Sequence, residues 1–104
     1  MGYIYLIENT IDNSTKYKIG YTNNISRRLK ELSTGNPGEL NIIKQFETKW
    51  DRKVETIMHK KYKYLNIKNE WFTLTEKNVN SFLYDCGKIE KNFDFLYKYN
   101  NTFF

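Results

Sequence analysis

Gly2-Tyr3-Ile4-Tyr5-Leu6-Ile7 is followed, after a polar interval, by Tyr17-Lys18-Ile19-Gly20-Tyr21, and Arg28 stands ten residues beyond Lys18. Residues 3–7 are β-branched and aromatic, the composition of a buried strand. The interval 9–15, rich in Asn, Asp, Ser and Thr, predicts a hairpin loop. Residues 16–22 return as a second strand. Alternation along the first strand puts Tyr3 and Tyr5 on one face.

Outward from this pair, Asn23 or Asn24 can cap a helix in which Ile25, Leu29 and Leu32 recur at i, i+4 and i+7, and Gly35 and Pro37 end it. Residues 40–48, with Ile42, Ile43 and Phe46, predict a third strand. Thr48 or Asp51 opens a second helix with Val54, Ile57, Met58, Tyr62 and Leu65 on one face. Residues 70–74 form a short extended segment. Thr75 caps a third helix with Val79, Phe82, Leu83 and Cys86 at helical spacing, ending at Gly87. Beyond it, Ile89, Phe93 and Leu96 fit a helix, whereas Phe93, Phe95, Tyr97 and Tyr99 alternate like a strand. The order implies an α+β domain, a small three-stranded antiparallel sheet flanked by helices, over residues 1–90. An aromatic-rich tail, residues 91–104, is expected to pack on the same domain.

A chain of 104 residues is long enough for one core and too short for two. Its net charge of +5 favours a polyanionic partner. No apolar run is long enough to span a bilayer and no leader pattern precedes the first strand, so the expectation is a soluble, intracellular protein without a membrane partner. One cysteine and one histidine exclude an internal disulfide, a Cys/His zinc site and most nucleophilic triads. Catalysis would run on carboxylates, tyrosines, lysines and arginines, with any divalent ion held by oxygen ligands. Fourteen lysines accompany only three arginines, Arg27, Arg28 and Arg52. In so lysine-biased a chain, an arginine points to a position that needs the planar, multi-donor head.

Helical geometry separates the adjacent arginines. At about 100° per residue, Arg28 lies about 60° from Ile25 at the edge of the apolar stripe, while Arg27 falls nearly opposite it, in solvent. Arg28 can reach along the sheet toward the strands or, equally, snorkel over apolar surface. Arg27 can touch a backbone phosphate. On the second helix Glu55 borders the apolar face, with His59 one turn further along the same edge. A border glutamate is ordinarily a solvated one.

Together, the two strand motifs and the arginine at this offset resemble the GIY-YIG nuclease superfamily. The stretch Val54-Glu55-Thr56-Ile57-Met58-His59, followed by Glu70-Trp71-Phe72, looks like a phage- and virus-rich branch in which a Glu-x-x-x-His helix precedes Glu-Trp-Phe. The resemblance implies a metal-dependent endonuclease acting on nucleic acid, DNA before RNA. Glu55 would hold one Mg²⁺ or Mn²⁺, and Arg28 would stabilise charge developing on the phosphate. Tyr5 would orient or activate the attacking water, and His59 would be a second-site or phosphate-facing residue.

The second motif departs from the usual pattern, with Lys18 where the superfamily most often has tyrosine. Either Lys18 binds the phosphate, or Tyr17 or Tyr21 supplies the hydroxyl. The asparagine common after the metal helix in other branches is replaced by Glu70-Trp71-Phe72, where Glu70 can shape the site or meet His59. Gly20 either lets the backbone approach the site or marks a bulge. Arg27, Lys30, Lys53 and Lys60, with Lys16 and Lys61, would hold the nucleic-acid backbone without reading sequence. One such site cuts one strand, so a double-strand break would require a homodimer, two successive nicks or a protein partner. The alternative is a catalytically impaired nucleic-acid-binding module of the same fold.

Overall fold

The computed structural model describes residues 1–99. Strands β1 (Gly2–Ile11) and β2 (Ser14–Thr22) pair antiparallel and are joined by Asp12 and Asn13 alone, with φ of 49° and 65°. That is the backbone of a two-residue primed turn, which Asp and Asn tolerate. The loop expected over 9–15 is therefore corrected. Thr10 and Thr15 are strand residues whose hydroxyls bond across the ladder at 3.0 Å.

Helix α1 (Ile25–Gly35) is capped by Asn24, whose side-chain oxygen accepts from the Arg27 amide at 3.0 Å. Strand β3 (Glu39–Thr48) returns along the free edge of β1. Between the Leu6–Lys44 and Ile7–Ile42 pairings β3 carries one extra residue, Ile43, a bulge whose side chain packs toward the core. Asn9, buried in β1, donates to the carbonyls of Pro37 and Glu39 at 3.0 and 3.2 Å and so pins the turn into β3.

Helix α2 (Asp51–Lys61) and a short 3₁₀ turn at Lys63–Leu65 lead into β4 (Asn66–Lys68) and β5 (Trp71–Phe72). The sheet has five strands in the order β3-β1-β2-β5-β4, each adjacent pair antiparallel, so the three-stranded expectation is corrected. Two strands of three and two residues are too short to show a period of their own.

Helix α3 (Glu76–Tyr99) begins on a reciprocal cap, the Thr75 hydroxyl with the Asn78 amide and the Asn78 side chain with the Thr75 amide. It does not stop at Gly87, and the helical reading of residues 89–96 holds over the strand-like one. Ile89 and Phe93 continue the packing against the core, and the Trp50 indole donates to Asp94 at 2.8 Å. Those contacts offset the roughly 1 kcal/mol that a glycine costs inside a helix. Residues 100–104 of the expected tail lie outside the described residues.

Strand alternation splits the core. Ile4, Leu6 and Ile19 face α2 and α3 and are sealed by Val54, Met58, Tyr62, Phe72 and Phe82. Tyr5 and Ile7 point to the other face and are also buried, on the side where α1 lies. Ile25, Leu29 and Leu32 are only half-buried, and Ile57 and Leu83 are exposed rather than core. Among the described residues, no helix is long and apolar enough to cross a membrane.

Candidate functional site

Tyr5 sits directly across the ladder from Gly20. A β-carbon at Gly20 would overlap the Tyr5 hydroxyl and ring, so the glycine of the second motif exists to accommodate the tyrosine of the first. Neither a ladder bulge at this pairing nor an approaching ligand is needed to explain it. With its ring laid over Gly20, the Tyr5 hydroxyl accepts a hydrogen bond from Arg28 Nε at 3.2 Å. Arg28 thus reaches along the sheet from the first turns of α1, and its half-buried side chain is more than a cover for apolar surface. Burial holds the Tyr5 hydroxyl above the usual tyrosine pKa against the opposing pull of Arg28, and Glu70 and Glu55 add to the rise. Tyr5 is therefore a neutral phenol at physiological pH. Its hydrogen bond to Tyr5 holds the Arg28 guanidinium more firmly charged.

Lys18, on the same sheet face as Tyr5, is only 7 % exposed and bonds Glu70 Oε1 at 2.9 Å. Glu70 is brought there by β5, where Trp71 pairs with Lys18 and the Ile19 amide donates to the Glu70 carbonyl at 3.1 Å. The expectation that Glu70 meets His59 is corrected to an ion pair with Lys18.

Glu55 projects from α2 with its Oε2 buried and without a hydrogen-bond partner. Its pKa rises to about 7, first through burial, then through Glu70 and Asp51, with Lys18 opposing. A buried carboxylate oxygen left unpaired is costly to ionise. His59, one turn on, donates Nε2–H to the Ile19 carbonyl at 2.7 Å and sets its ring edge against Phe72. A carbonyl can only accept, so Nε2 carries a proton, and in the neutral ring Nδ1 is left as an acceptor for a donor such as water. Glu55, His59 and Lys60 share a cavity of about 330 Å³ with Lys63, Asn66 and Asn69.

The second-motif tyrosines part company. Tyr17 packs toward the core on the face opposite Tyr5, while Tyr21 is 37 % exposed and shares a second cavity with Arg28. Tyr5 is joined to Arg28 by a hydrogen bond and lies within the electrostatic reach of Glu55 and Glu70. Glu55 and Arg28 line separate cavities, Tyr21 sharing that of Arg28 and Tyr17 lining neither. Of the basic residues, Lys60 lines the first cavity and Arg27 the second, and Lys30 and Lys53 are exposed on α1 and α2. Lys16 lies over the Trp71 ring, 4.7 Å from its centroid, and Lys61 is tied to Asp85 at 3.3 Å, a structural pairing.

Arg52 was not singled out by its position in the sequence, yet it lines the second cavity with its guanidinium 5.6 Å from the Tyr21 centroid. Its rarity as one of three arginines was the available signal.

These features define a small α+β domain that gathers arginine, tyrosine and an uncompensated carboxylate around its first two strands. The chain belongs to the T5orf172 domain family, whose model matches residues 2–87. No curated protein and no solved structure matches it significantly.

Proposed function

We propose that this protein is a divalent-metal-dependent endonuclease of GIY-YIG type, hydrolysing phosphodiester bonds in nucleic acid, DNA before RNA. The observation that carries the reading is the Arg28–Tyr5 hydrogen bond at 3.2 Å, with the unpartnered Oε2 of Glu55 on a carboxylate close enough to act on the same hydroxyl. The family supports it, since T5orf172 domains occur in phage and in nuclease-associated proteins.

A buried carboxylate oxygen with no donor fits a cation ligand. Among the described residues no group of three or more His, Cys, Asp or Glu could enclose a metal, and Glu55 is the carboxylate that would hold the ion. Mg²⁺, which keeps much of its hydration shell, suits such a site, and Mn²⁺ would be the alternative. When bound, the ion would supply Lewis-acid polarisation of the scissile phosphate and stabilise the leaving oxygen.

The remaining chemistry belongs to the chain. Arg28 sets fixed positive charge where the non-bridging oxygens accumulate negative charge. Tyr5 accepts from Arg28 and keeps its own proton, so it orients the attacking water as a donor. Lys18 pairs with Glu70 and opposes the rise in the Glu55 pKa, which keeps the ionised carboxylate accessible near neutral pH.

Supercoiled plasmid incubated with Mg²⁺ or Mn²⁺ tests the reading. Wild type is expected to nick it, and Glu55→Ala and Arg28→Ala to lose that activity. Nicking that survives Glu55→Ala would sink the metal assignment.

A second reading is the catalytically impaired nucleic-acid-binding module. It draws on Lys18, which replaces the usual tyrosine and is spent on Glu70 inside the protein. Salt-sensitive binding by a wild-type chain that never cleaves would select it.

A further inference from the structure

All three arginines of the chain line one cavity of about 340 Å³. Arg27 and Arg28 come from the first turn of α1 and Arg52 from the first turn of α2, so the fold joins residues far apart in sequence. Each is held by a neutral neighbour. The Arg27 Nη2 donates to Asn23 at 2.9 Å, Arg28 Nε donates to Tyr5, and Arg52 lies over the Tyr21 ring. Among the described residues, none of the three forms an ion pair with a carboxylate. Glu31 and Asp51 also line the cavity, but Asp51 is turned toward Gly2 and accepts from the Arg52 amide at 2.9 Å. A guanidinium has five N–H donors, and Arg27 and Arg28 spend one each on these bonds.

A fold that places every planar base around one hollow, in a chain otherwise served by lysine, has built for a ligand that rewards bidentate donors. Phosphate oxygens do so, and a point charge on a flexible stem serves them less well.

We propose that this cavity is a second phosphate subsite, in which Arg27 and Arg52 grip a phosphate of the nucleic-acid strand beside the one faced by Arg28. It rests on the proposed reading of Arg28 as the residue that faces the reacting phosphate. Tyr21 serves as the platform that holds the Arg52 guanidinium in place, so its role is positional. The subsite fixes the register of the strand and contributes affinity without reading bases.

The test is equilibrium binding of a short DNA duplex by the full chain in EDTA across a series of salt concentrations. Wild type is compared with Arg27→Ala, Arg52→Ala and Lys77→Ala, the last an exposed α3 lysine that lines neither of the two cavities. Loss of one phosphate contact lowers the slope of log K against log salt by about 0.9. Arg27→Ala and Arg52→Ala are expected to show that loss with several-fold weaker binding, and Lys77→Ala to keep the wild-type slope. Arg52→Gln, which keeps the side chain's length, should repeat the Arg52→Ala result. If cleavage occurs, Arg52→Ala should raise KM by a larger factor than it lowers kcat.

Wild-type slope and affinity in Arg52→Ala would overturn the subsite, even with cleavage still dependent on Arg28 and Glu55. An equal loss in Lys77→Ala would overturn it too, since net charge would then explain the effect. A reduced slope in Arg27→Ala and Arg52→Ala, with no cleavage by wild type, would support the subsite and refute the nuclease reading.

Discussion

Gly20 and Tyr5 face each other across the β1–β2 ladder with no room for a β-carbon between them. The two motifs are therefore one steric unit: the second supplies the gap into which the first lays its ring. That ring is what presents the hydroxyl to Arg28. Gly20→Ala is expected to push the ring away, destabilise the fold by about 1–3 kcal/mol as overpacking does, and uncouple Tyr5 from Arg28. Thermal melts and plasmid nicking check it. A variant with wild-type stability and activity would show that the ring moves aside freely.

Arg28 separates chemistry from stability more sharply. Its side chain is half-buried and makes one hydrogen bond to a phenol, so Arg28→Ala should shift folding stability by about 1 kcal/mol at most. Removing a preorganised charge from the transition state should lower cleavage by about 10²–10³-fold. Arg28→Lys restores the charge but not the Nε–H donor and planar fork, and should recover only part of the rate. Single-turnover cleavage beside a denaturant titration measures both quantities on the same samples.

Glu55 predicts a pH dependence whose sign follows from its raised pKa. The folded chain favours the protonated carboxyl up to about pH 7, against an ordinary value of 4.5. The stabilisation this represents is fully present below the ordinary value and is lost as pH rises through about 7. In metal-free buffer, wild type should therefore lose melting temperature across that window relative to Glu55→Gln, and Glu55→Gln should melt higher at pH 8. Adding Mn²⁺ at pH 8 should raise the wild-type melting temperature and leave Glu55→Gln unmoved. Equal melting of the two proteins at every pH would mean that the carboxylate is solvated and free of strain.

What could be read from the sequence is what local chemistry decides. The apolar run at residues 3–7, the Asn24 cap and the Val54–Met58 spacing each act over a few residues, and each holds in the structure. What could not be read depends on partners distant along the chain. Asp85 passed as an ordinary helix residue. Nothing local indicated that it would be buried against the Tyr62 hydroxyl at 3.1 Å, Ser81 at 3.0 Å and Lys61. Lys18 and Glu70 are joined only because β5 adds to β2, a pairing two residues long. Arg52 meets Tyr21 because the start of α2 comes to lie beside the end of β2.

Gly87 is the case in which a local rule was outvoted, and it leaves a mark that can be measured. A glycine after an apolar helical run ordinarily ends the helix, yet α3 continues through it to Tyr99 because Ile89, Phe93 and Asp94 have partners on the domain. A β-carbon added at Gly87 would meet nothing within 4 Å, and the residue lies in helical backbone rather than in a left-handed conformation. Gly87→Ala should therefore stabilise the protein by about 1 kcal/mol, through lower entropy in the unfolded chain and better helix propensity. The gain should be read from the denaturant midpoint at an unchanged slope. If the midpoint falls instead, position 87 needs a glycine for a helix end or a close approach, and the continuous α3 would be the part of the fold to give up.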